Sequence, residues 1–434
     1  MVALLMLANI FSFIDRQILG LLVDPVRHAL NITDFQIGLL IGPAFAIFYA
    51  FMALPIGRLV DSRRRITIIA IGVGLWSLMT VASGAANSFA WLLTARIGVA
   101  VGEACLFPAA NSLIPDAFPP ERRARAIGTY SISIYLGTGL AFIFGGALTA
   151  LAESDALLRL APGLVAARAP WQIVFFLVGT PGLLLAGVLL FLKEPLRQDD
   201  HIAPADGADA LPLGGFLRRH ALVLAALVLG NSTALFVAYS VFAWAPTYLV
   251  RSAGLARSEA GLVFGLAVMT GGIIGTLSAT YYADRRWSAG ARGAKFQIAG
   301  AACAVAAVLA FLLLFAKTPV LFVIVAGGLV MCSSVVIGLA PAALQEIVPN
   351  NARGRVLAGM QLVATLIGAG LGPPAVALAM HASWNSTADA GSALAIACGV
   401  SMTIGAIAFL FGKSAFTTVV RDRHDPAARA TTIA

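Results

Sequence analysis

The sequence predicts an all-α membrane protein of twelve transmembrane helices in two pseudo-symmetric six-helix bundles. Three observations carry this expectation. The chain is 60% hydrophobic and only 11% charged over 434 residues, whereas a soluble domain needs about a quarter charged residues to face water. Its apolar runs recur at the roughly 20-residue length that crosses a bilayer. Lys and Arg crowd alternate connections between those runs.

The first six spans occupy roughly 1–23, 35–60, 66–86, 90–114, 124–149 and 171–192. The stretch KEPLRQDDHIAPADGADALP, Lys193 to Pro212, then interrupts the pattern and is too polar for lipid. Six more spans lie at roughly 219–250, 258–282, 296–316, 319–345, 355–380 and 391–411. The expected organisation is a six-helix bundle over 1–192, a cytoplasmic linker over 193–218, a second bundle over 219–412 and a cytoplasmic tail over 413–434. The apolar start at Met1 has no basic n-region and no small-residue cleavage site, and it contains Asp15 and Arg16. It reads as a first span rather than a signal peptide.

With both termini cytoplasmic, 21 of the 29 Lys and Arg fall in inner segments and 6 in outer ones, while Arg16 and Arg96 lie inside spans. A wrong helix count would scramble that split. The net charge of +9 therefore reflects membrane topology, and nucleic acid is not an expected partner. The reading is a multi-pass protein of a bacterial inner membrane, in contact with membrane lipid and functional as a monomer.

The two halves repeat. Gly38, Gly42, Asp61 and Arg63 match Gly261, Gly265, Asp284 and Arg286 at an offset of 223, and Asp116, Pro119, Arg123 and Arg125 match Glu346, Pro349, Arg353 and Arg355 at an offset of 230. Two similar halves around a cavity suggest alternating access. The inner clusters Asp61, Arg65 and Arg125, with Asp284, Arg285 and Arg355, are candidates for a gate. Their carboxylates are placed to receive N–H groups at the next helix start, or those arginines.

Charges inside spans are the most informative residues, because each costs about 2.5–3.5 kcal/mol at mid-bilayer unless a cavity or counter-charge receives it. Asp15 and Arg16 lie in the first span, Arg96 and Glu103 in the fourth. Arg96 and Glu103 are seven residues apart, hence on one helix face. Asp15 is rotated about 100° from Arg16, so the two serve different surfaces. Either these four are permanently paired ions, or a carboxylate takes up a proton and releases its arginine. Asp15 is the first candidate acceptor and Glu103 the second, with the proton as coupling ion and no other cofactor. Offsetting Asp15 and Arg16 by 223 gives Ala238 and Tyr239, so the coupling chemistry belongs to the N-terminal half.

Asn9 shares a face with Arg16 on the first span. Phe236, Tyr239 and Trp244 make the seventh span polar and aromatic. With Tyr130, Met360 and Gln361 these residues form a candidate wall for an amphiphile whose polar head meets Arg16. Gly137, Gly139, Gly145 and Gly146 in the fifth span, and Gly368, Gly370 and Gly372 in the eleventh, suit close helix packing.

Other functional classes lack their chemistry. Cys105, Cys303, Cys332 and Cys398 sit in apolar stretches without a CxxC pair, and the five histidines are scattered, so no metal or disulfide role is expected. HExxH, GxSxG, a phosphate loop and a selectivity-filter segment are missing from the sequence, which argues against an enzyme, an ATP-driven pump or a channel.

GRLVDSRRR, with Gly57, Leu59, Asp61 and Arg65, and RIGVAVGEA, with Arg96, resemble the loop and fourth-helix motifs of the major facilitator superfamily. Ser62 and Arg64 stand where an arginine and a glycine are usual, so the local turn is expected to differ. FIDR, TPGLLLAG with KEPLR, and WAPTYLVR are similar to Spinster-like transporters. That resemblance implies proton coupling through the acidic residue of the first helix, here Asp15, and a core polar network of Arg16, Arg96 and Glu103. It also implies a lysolipid- or sphingoid-like solute, since animal members export such amphiphiles. The alternative is a proton-coupled symporter of a small organic anion, which would use Arg16 and Arg96 for a carboxylate. The start at Met1 lacks the cytoplasmic lead often seen in relatives, so native residues upstream of it are a possibility.

Overall fold

Among the described residues, twelve helices long and apolar enough to cross a membrane follow one another. They are α1 (Val2–Gly20), α2 (Asp34–Ala53), α3 (Arg65–Ser83), α4 (Phe89–Ile114), α5 (Gly128–Ala152) and α6 (Pro170–Leu190), then α7 (Ala221–Arg251), α8 (Arg257–Ser288), α9 (Ala294–Phe315), α10 (Pro319–Ile347), α11 (Arg353–His381) and α12 (Ala390–Arg421). The computed structural model describes residues 1–118, 120–154, 168–195, 213–348, 352–382 and 390–424. The side chains of Asp61 and Arg125 lie outside the described set.

Local chemistry sets the helix ends. At the start of α2, Thr33 Oγ1 accepts the Gln36 N–H at 3.2 Å and Gln36 Oε1 accepts the Thr33 N–H at 2.9 Å, a reciprocal cap that satisfies two orphan donors. Ser88 and Thr318 cap α4 and α10 by accepting the N–H three residues on.

Three spans expected as single helices are interrupted. The second divides at Gly42 into Asp34–Ile41 and Pro43–Ser62, where Pro43 cannot donate back into the preceding turn. The fourth divides after Glu103, resuming at Leu106. The eleventh carries a π-helical segment over Thr365–Gly370, which re-aims the glycines around it. Helix also forms where none was expected, over Val23–Leu30 in the first outer connection. The last helix runs on to His424, so the expected tail from 413 begins as helix.

Glycines decide how the two bundles meet. A Cβ on Gly42 would lie 2.7 Å from the Gly370 carbonyl oxygen, and one on Gly38 2.8 Å from Pro374 Cα, which brings α2 onto α11. On the other side α5 meets α8, since a Cβ on Gly139 would lie 2.6 Å from the Gly265 carbonyl oxygen and one on Gly146 2.9 Å from Ser258 Cα. Gly42 and Gly265 are repeat equivalents, so the two seams are the same contact made twice. Further along these helices, toward the other end, Gly57, Gly128, Gly354 and Gly359 would each direct a Cβ into open space. Among the described residues, glycine contacts join the bundles at one end and none joins them at the other. The joined end carries the connections that the Lys and Arg distribution assigns to the outside.

Candidate functional site

Arg16 occupies the junction of the bundles. Its Nε donates to Glu103 Oε2 at 3.1 Å, and Nη2 donates to the same oxygen. Nη1 crosses to the other bundle and donates to the Tyr239 hydroxyl at 2.9 Å. Phe45, Phe13 and Tyr49 surround the guanidinium, with ring centroids 4.0, 4.8 and 5.3 Å from Cζ. Aromatic faces attract a cation and exclude water from it, so Arg16 sits in a partly apolar cage with most of its donors engaged. Glu103 Oε1 makes no hydrogen bond among the described residues.

Arg16 and Tyr239 are 223 residues apart, the offset that relates Gly38 to Gly261. They are equivalents in the two halves, and each faces the other across the pseudo-two-fold axis.

Behind α1 the geometry differs. Asp15 is 2% exposed and lies beside Thr80 and near Glu103 and Arg96. The Thr80 hydroxyl has no hydrogen-bond partner of good geometry, and Asp15 has no cation within 4.0 Å of its carboxylate among the described residues. Arg96, 0% exposed, donates to the backbone carbonyls of Asp15 at 2.8 Å and Arg16 at 3.0 Å. These carbonyls belong to the last α-helical turn of α1, before it tightens at Ile18–Gly20, where carbonyls lose their helical donors. Arg96 thus fixes the backbone under the Asp15–Arg16 pair. The shared helix face of Arg96 and Glu103 does not become a direct pair, since Glu103 belongs to Arg16.

The expected amphiphile wall is brought together only in part. Phe236, Tyr239 and Gln361 are half-buried, whereas Asn9, Tyr130 and Met360 are enclosed within their bundles. Asn9 donates to Ser133 at 2.7 Å, which ties α1 to α5. Trp244 does not line the wall. It is 0% exposed and donates its indole N–H to the Pro373 carbonyl at 2.8 Å, which makes it a staple between α7 and α11. Gln361 accepts from Asn231 at 2.8 Å, again between α7 and α11.

The engaged latch is on the outer side, where the sequence pointed to none. Arg251, at the end of α7, donates to Asp34 at 3.1 and 2.8 Å and to Asp24 at 2.7 Å. Arg257 of α8 donates to Glu153, just after α5, at 2.9 Å. Both links join the bundles. The signal that could have found them is the short set of outer cations, which break the inside bias and therefore call for a partner.

At the inner end the described ion pairs stay within one bundle. Arg65 binds Asp116 and, at 3.0 Å, Glu194. Lys295 binds Glu346 at 2.7 Å. The N–H groups of Arg65 and Ile66 at the start of α3 reach Glu194 at 3.1 and 3.4 Å. Glu194, beyond α6, thus supplies a carboxylate at this helix start, while the Asp61 side chain expected there lies outside the described residues. Burial alone would raise the Glu194 carboxyl, but hydrogen bonds from the Arg65 side chain and from the Arg65 and Ile66 backbone hold it below the ordinary glutamate value. Asp284, Arg285 and Arg355 are exposed. Arg285 reaches the Tyr281 hydroxyl at 3.4 Å, and none of the three makes an ion pair among the described residues.

The sequence profile described as Major Facilitator Superfamily matches residues 5–373. The chain belongs to that superfamily. Its members are transporters rather than enzymes. It is 30% identical to an MFS-type efflux pump of Mycolicibacterium smegmatis over 65% of this chain and 62% of that one. It is 27% identical to Protein spinster homolog 1 of Xenopus laevis over 65% and 54%. The chain thus spans between half and two thirds of the length of these curated relatives.

Among solved structures it is similar to a bacterial homolog of the human lysosomal transporter Spinster. The inward-facing, unoccupied form is 27% identical with a TM-score of 0.77, covering 97% of this chain and 96% of that one. The inward-facing, occupied form is 27% identical with a TM-score of 0.73, covering 96% of each. A D-xylose–proton symporter shares the fold at 17% identity and a TM-score of 0.68, covering 95% and 96%.

Proposed function

We propose that the chain is a proton-coupled secondary transporter of an amphiphilic solute, lysolipid- or sphingoid-like, whose polar head is received by Arg16. One observation carries the reading: a caged Arg16 at the bundle junction, held by Glu103 on one side and Tyr239 on the other, with an Asp15 carboxyl that has no cation at ion-pair distance behind it. A buried carboxylate without a close counter-charge is neutralised most cheaply by a proton. A proton on the Asp15–Glu103 pair loosens the hold of Glu103 on Arg16, and the freed donors then bind an anionic head. Phe13 and Tyr49, which are half-buried, give the adjoining apolar body a surface.

Arg16 also bridges to Tyr239, so binding at this point bears on both bundles at once. That is what alternating access requires of a ligand that shifts the balance between two states. The small-anion alternative has less support, because both Arg96 Nη atoms donate to α1 carbonyls, which leaves no free pair of Nη groups for a carboxylate. The Lys and Arg distribution supports cytoplasmic termini, and a monomer in a bacterial inner membrane completes the proposal.

The experiment uses proteoliposomes, a pH gradient, and a fluorescent lysophospholipid beside a radiolabelled small carboxylate. The wild type is expected to move the lysophospholipid in a gradient-dependent way. Asp15→Asn is expected to keep gradient-independent exchange and lose the dependence on the gradient. Gradient-driven flux by Asp15→Asn at the wild-type rate would remove Asp15 from the coupling, and transport of the carboxylate alone would favour the alternative substrate.

A further inference from the structure

Behind α1, three deeply buried side-chain atoms converge on one carboxyl. They are the Thr80 hydroxyl of α3 and, on α4, Nε of Arg96 and Oε1 of Glu103. Each makes no hydrogen bond among the described residues, and their residues are 0%, 0% and 1% exposed. All three surround Asp15: Thr80 stands beside it, and Arg96 and Glu103 act on it electrostatically. Arg16 is held by the other oxygen of Glu103, with the Tyr49 and Tyr239 hydroxyls near its guanidinium. No further charge of the described spans packed here faces this point. Asp34 of α2 and Arg65 of α3 lie at helix ends, and α5 and α6 carry no charged residue within their spans.

Folded proteins pair nearly all such buried groups, with other protein groups or with ordered water. The chemistry of the three atoms selects the ligand. Nε of Arg96 can only donate, Oε1 of an ionised Glu103 can only accept, and the Thr80 hydroxyl does either. A metal cation would leave the Arg96 N–H unmet and be repelled by its charge. An inorganic anion would face two carboxyls. A water molecule accepts from Arg96 and Thr80 and donates to Glu103 and Asp15, which fills both of its lone pairs and uses both of its hydrogens.

We infer that an ordered water molecule binds here and joins Asp15 to Glu103, and that Thr80 is the residue that positions it. With proton coupling as proposed above, on which this rests, a protonated Asp15 gives its proton to the water oxygen while the water gives another to Glu103 Oε1. One O–H bond breaks at Asp15, one forms at Glu103, and the water is restored. Negative charge passes from Glu103, which holds Arg16, to Asp15, which is near Arg96. The transfer needs no movement of α1 against α4.

Infrared difference spectroscopy of the full chain in lipid vesicles tests this, comparing alkaline with acidic buffer in ordinary and in heavy-oxygen water. The wild type is expected to show a carboxylic C=O band on acidification, removed by Asp15→Asn, together with a water O–H band that shifts in heavy-oxygen water. Thr80→Val, of similar shape, is expected to keep the C=O band and lose the shifting O–H band. Its gradient-driven flux should fall about tenfold, the worth of one hydrogen bond. Thr80→Ser, which restores the hydroxyl, should recover both. A wild-type spectrum with the C=O band but no oxygen-sensitive O–H band would overturn the water site and leave the proton reading standing, and it decides the matter even if Thr80→Val does not fold. A folded Thr80→Val that matches the wild type in spectrum and flux would do the same. Acidification that raises no C=O band would overturn the proton reading itself, and the water route with it.

Discussion

Replacing Arg251 by alanine is expected to loosen the outer seam between the bundles. Arg251 makes three hydrogen bonds to Asp34 and Asp24 across the outer seam, and its side chain is 27% exposed while that of Asp34 is 11% exposed. Fully exposed ion pairs contribute about 0–1 kcal/mol, and charged hydrogen bonds shielded from water contribute about 1.5–3 kcal/mol each. A partly shielded, bidentate arrangement lies between these limits, so about 2 kcal/mol for the whole cluster is a fair figure. Because the links join the bundles, that energy stabilises the outer-closed state and is absent when the outer side opens. A loss of about 2 kcal/mol shifts a two-state equilibrium roughly 30-fold, so a ratio of about 99 to 1 would fall to about 3 to 1.

Spin labels on Ala29→Cys and Lys317→Cys, both exposed and one in each half, report this change as a distance distribution. The native cysteines are buried, which limits background labelling. Arg251→Ala should add a longer-distance population, and Asp34→Asn should add the same one. Their combination should add little more, because both remove one interaction. Distributions identical to wild type in both variants would show that the cluster is a surface ornament and not a latch.

Three further outcomes follow from the geometry. Gly265→Ala places a methyl 2.5 Å from the Gly139 carbonyl oxygen, whereas Gly57→Ala meets open space; the first should open the outer seam or lower the melting temperature, at a cost of about 1–3 kcal/mol, and the second should do neither. Tyr239→Phe frees Arg16 Nη1, so calorimetry should find an anionic lysophospholipid binding roughly fivefold tighter, about 1 kcal/mol for a hydroxyl no longer displaced; an unchanged affinity would detach Tyr239 from the binding step. Glu194→Gln should lower the melting temperature at pH 7. Because the Glu194 value is depressed in the fold, its contribution is present above the unfolded value of about 4.3 and fades as pH falls through the lower folded value. The gap between wild type and variant should therefore close in acid, and a gap that persists there would mean the effect is not the carboxylate's charge.

The number and order of spans were legible because lipid imposes two crude requirements, a length and a charge bias, that each segment meets on its own. Periodicity also placed Asp15 and Arg16 on different surfaces, as the structure has them. Pairing between helices was not legible in the same way. Seven-residue spacing puts Arg96 and Glu103 on one face but says nothing about which residue of α1 arrives opposite, and it is Arg16 that takes Glu103. The outer latch joins residues 227 and 217 positions apart, through a connection that was expected to be irregular and folds as Val23–Leu30. Trp244 was misplaced for a related reason: an aromatic next to Tyr239 looks like lining until the position of Pro373 is known.

The meeting of Arg16 with Tyr239 has a consequence for how such a chain arises. In an assembly of two identical halves, any residue on the symmetry axis confronts its own copy, and two guanidinium groups placed head-on in oil would repel. Fusing the halves into one polypeptide lifts that restriction. Each copy of the position then changes independently, and a cation on one side acquires a neutral hydroxyl on the other. The asymmetry at this one contact gives the first half its charge chemistry and leaves the second a partner that can let go.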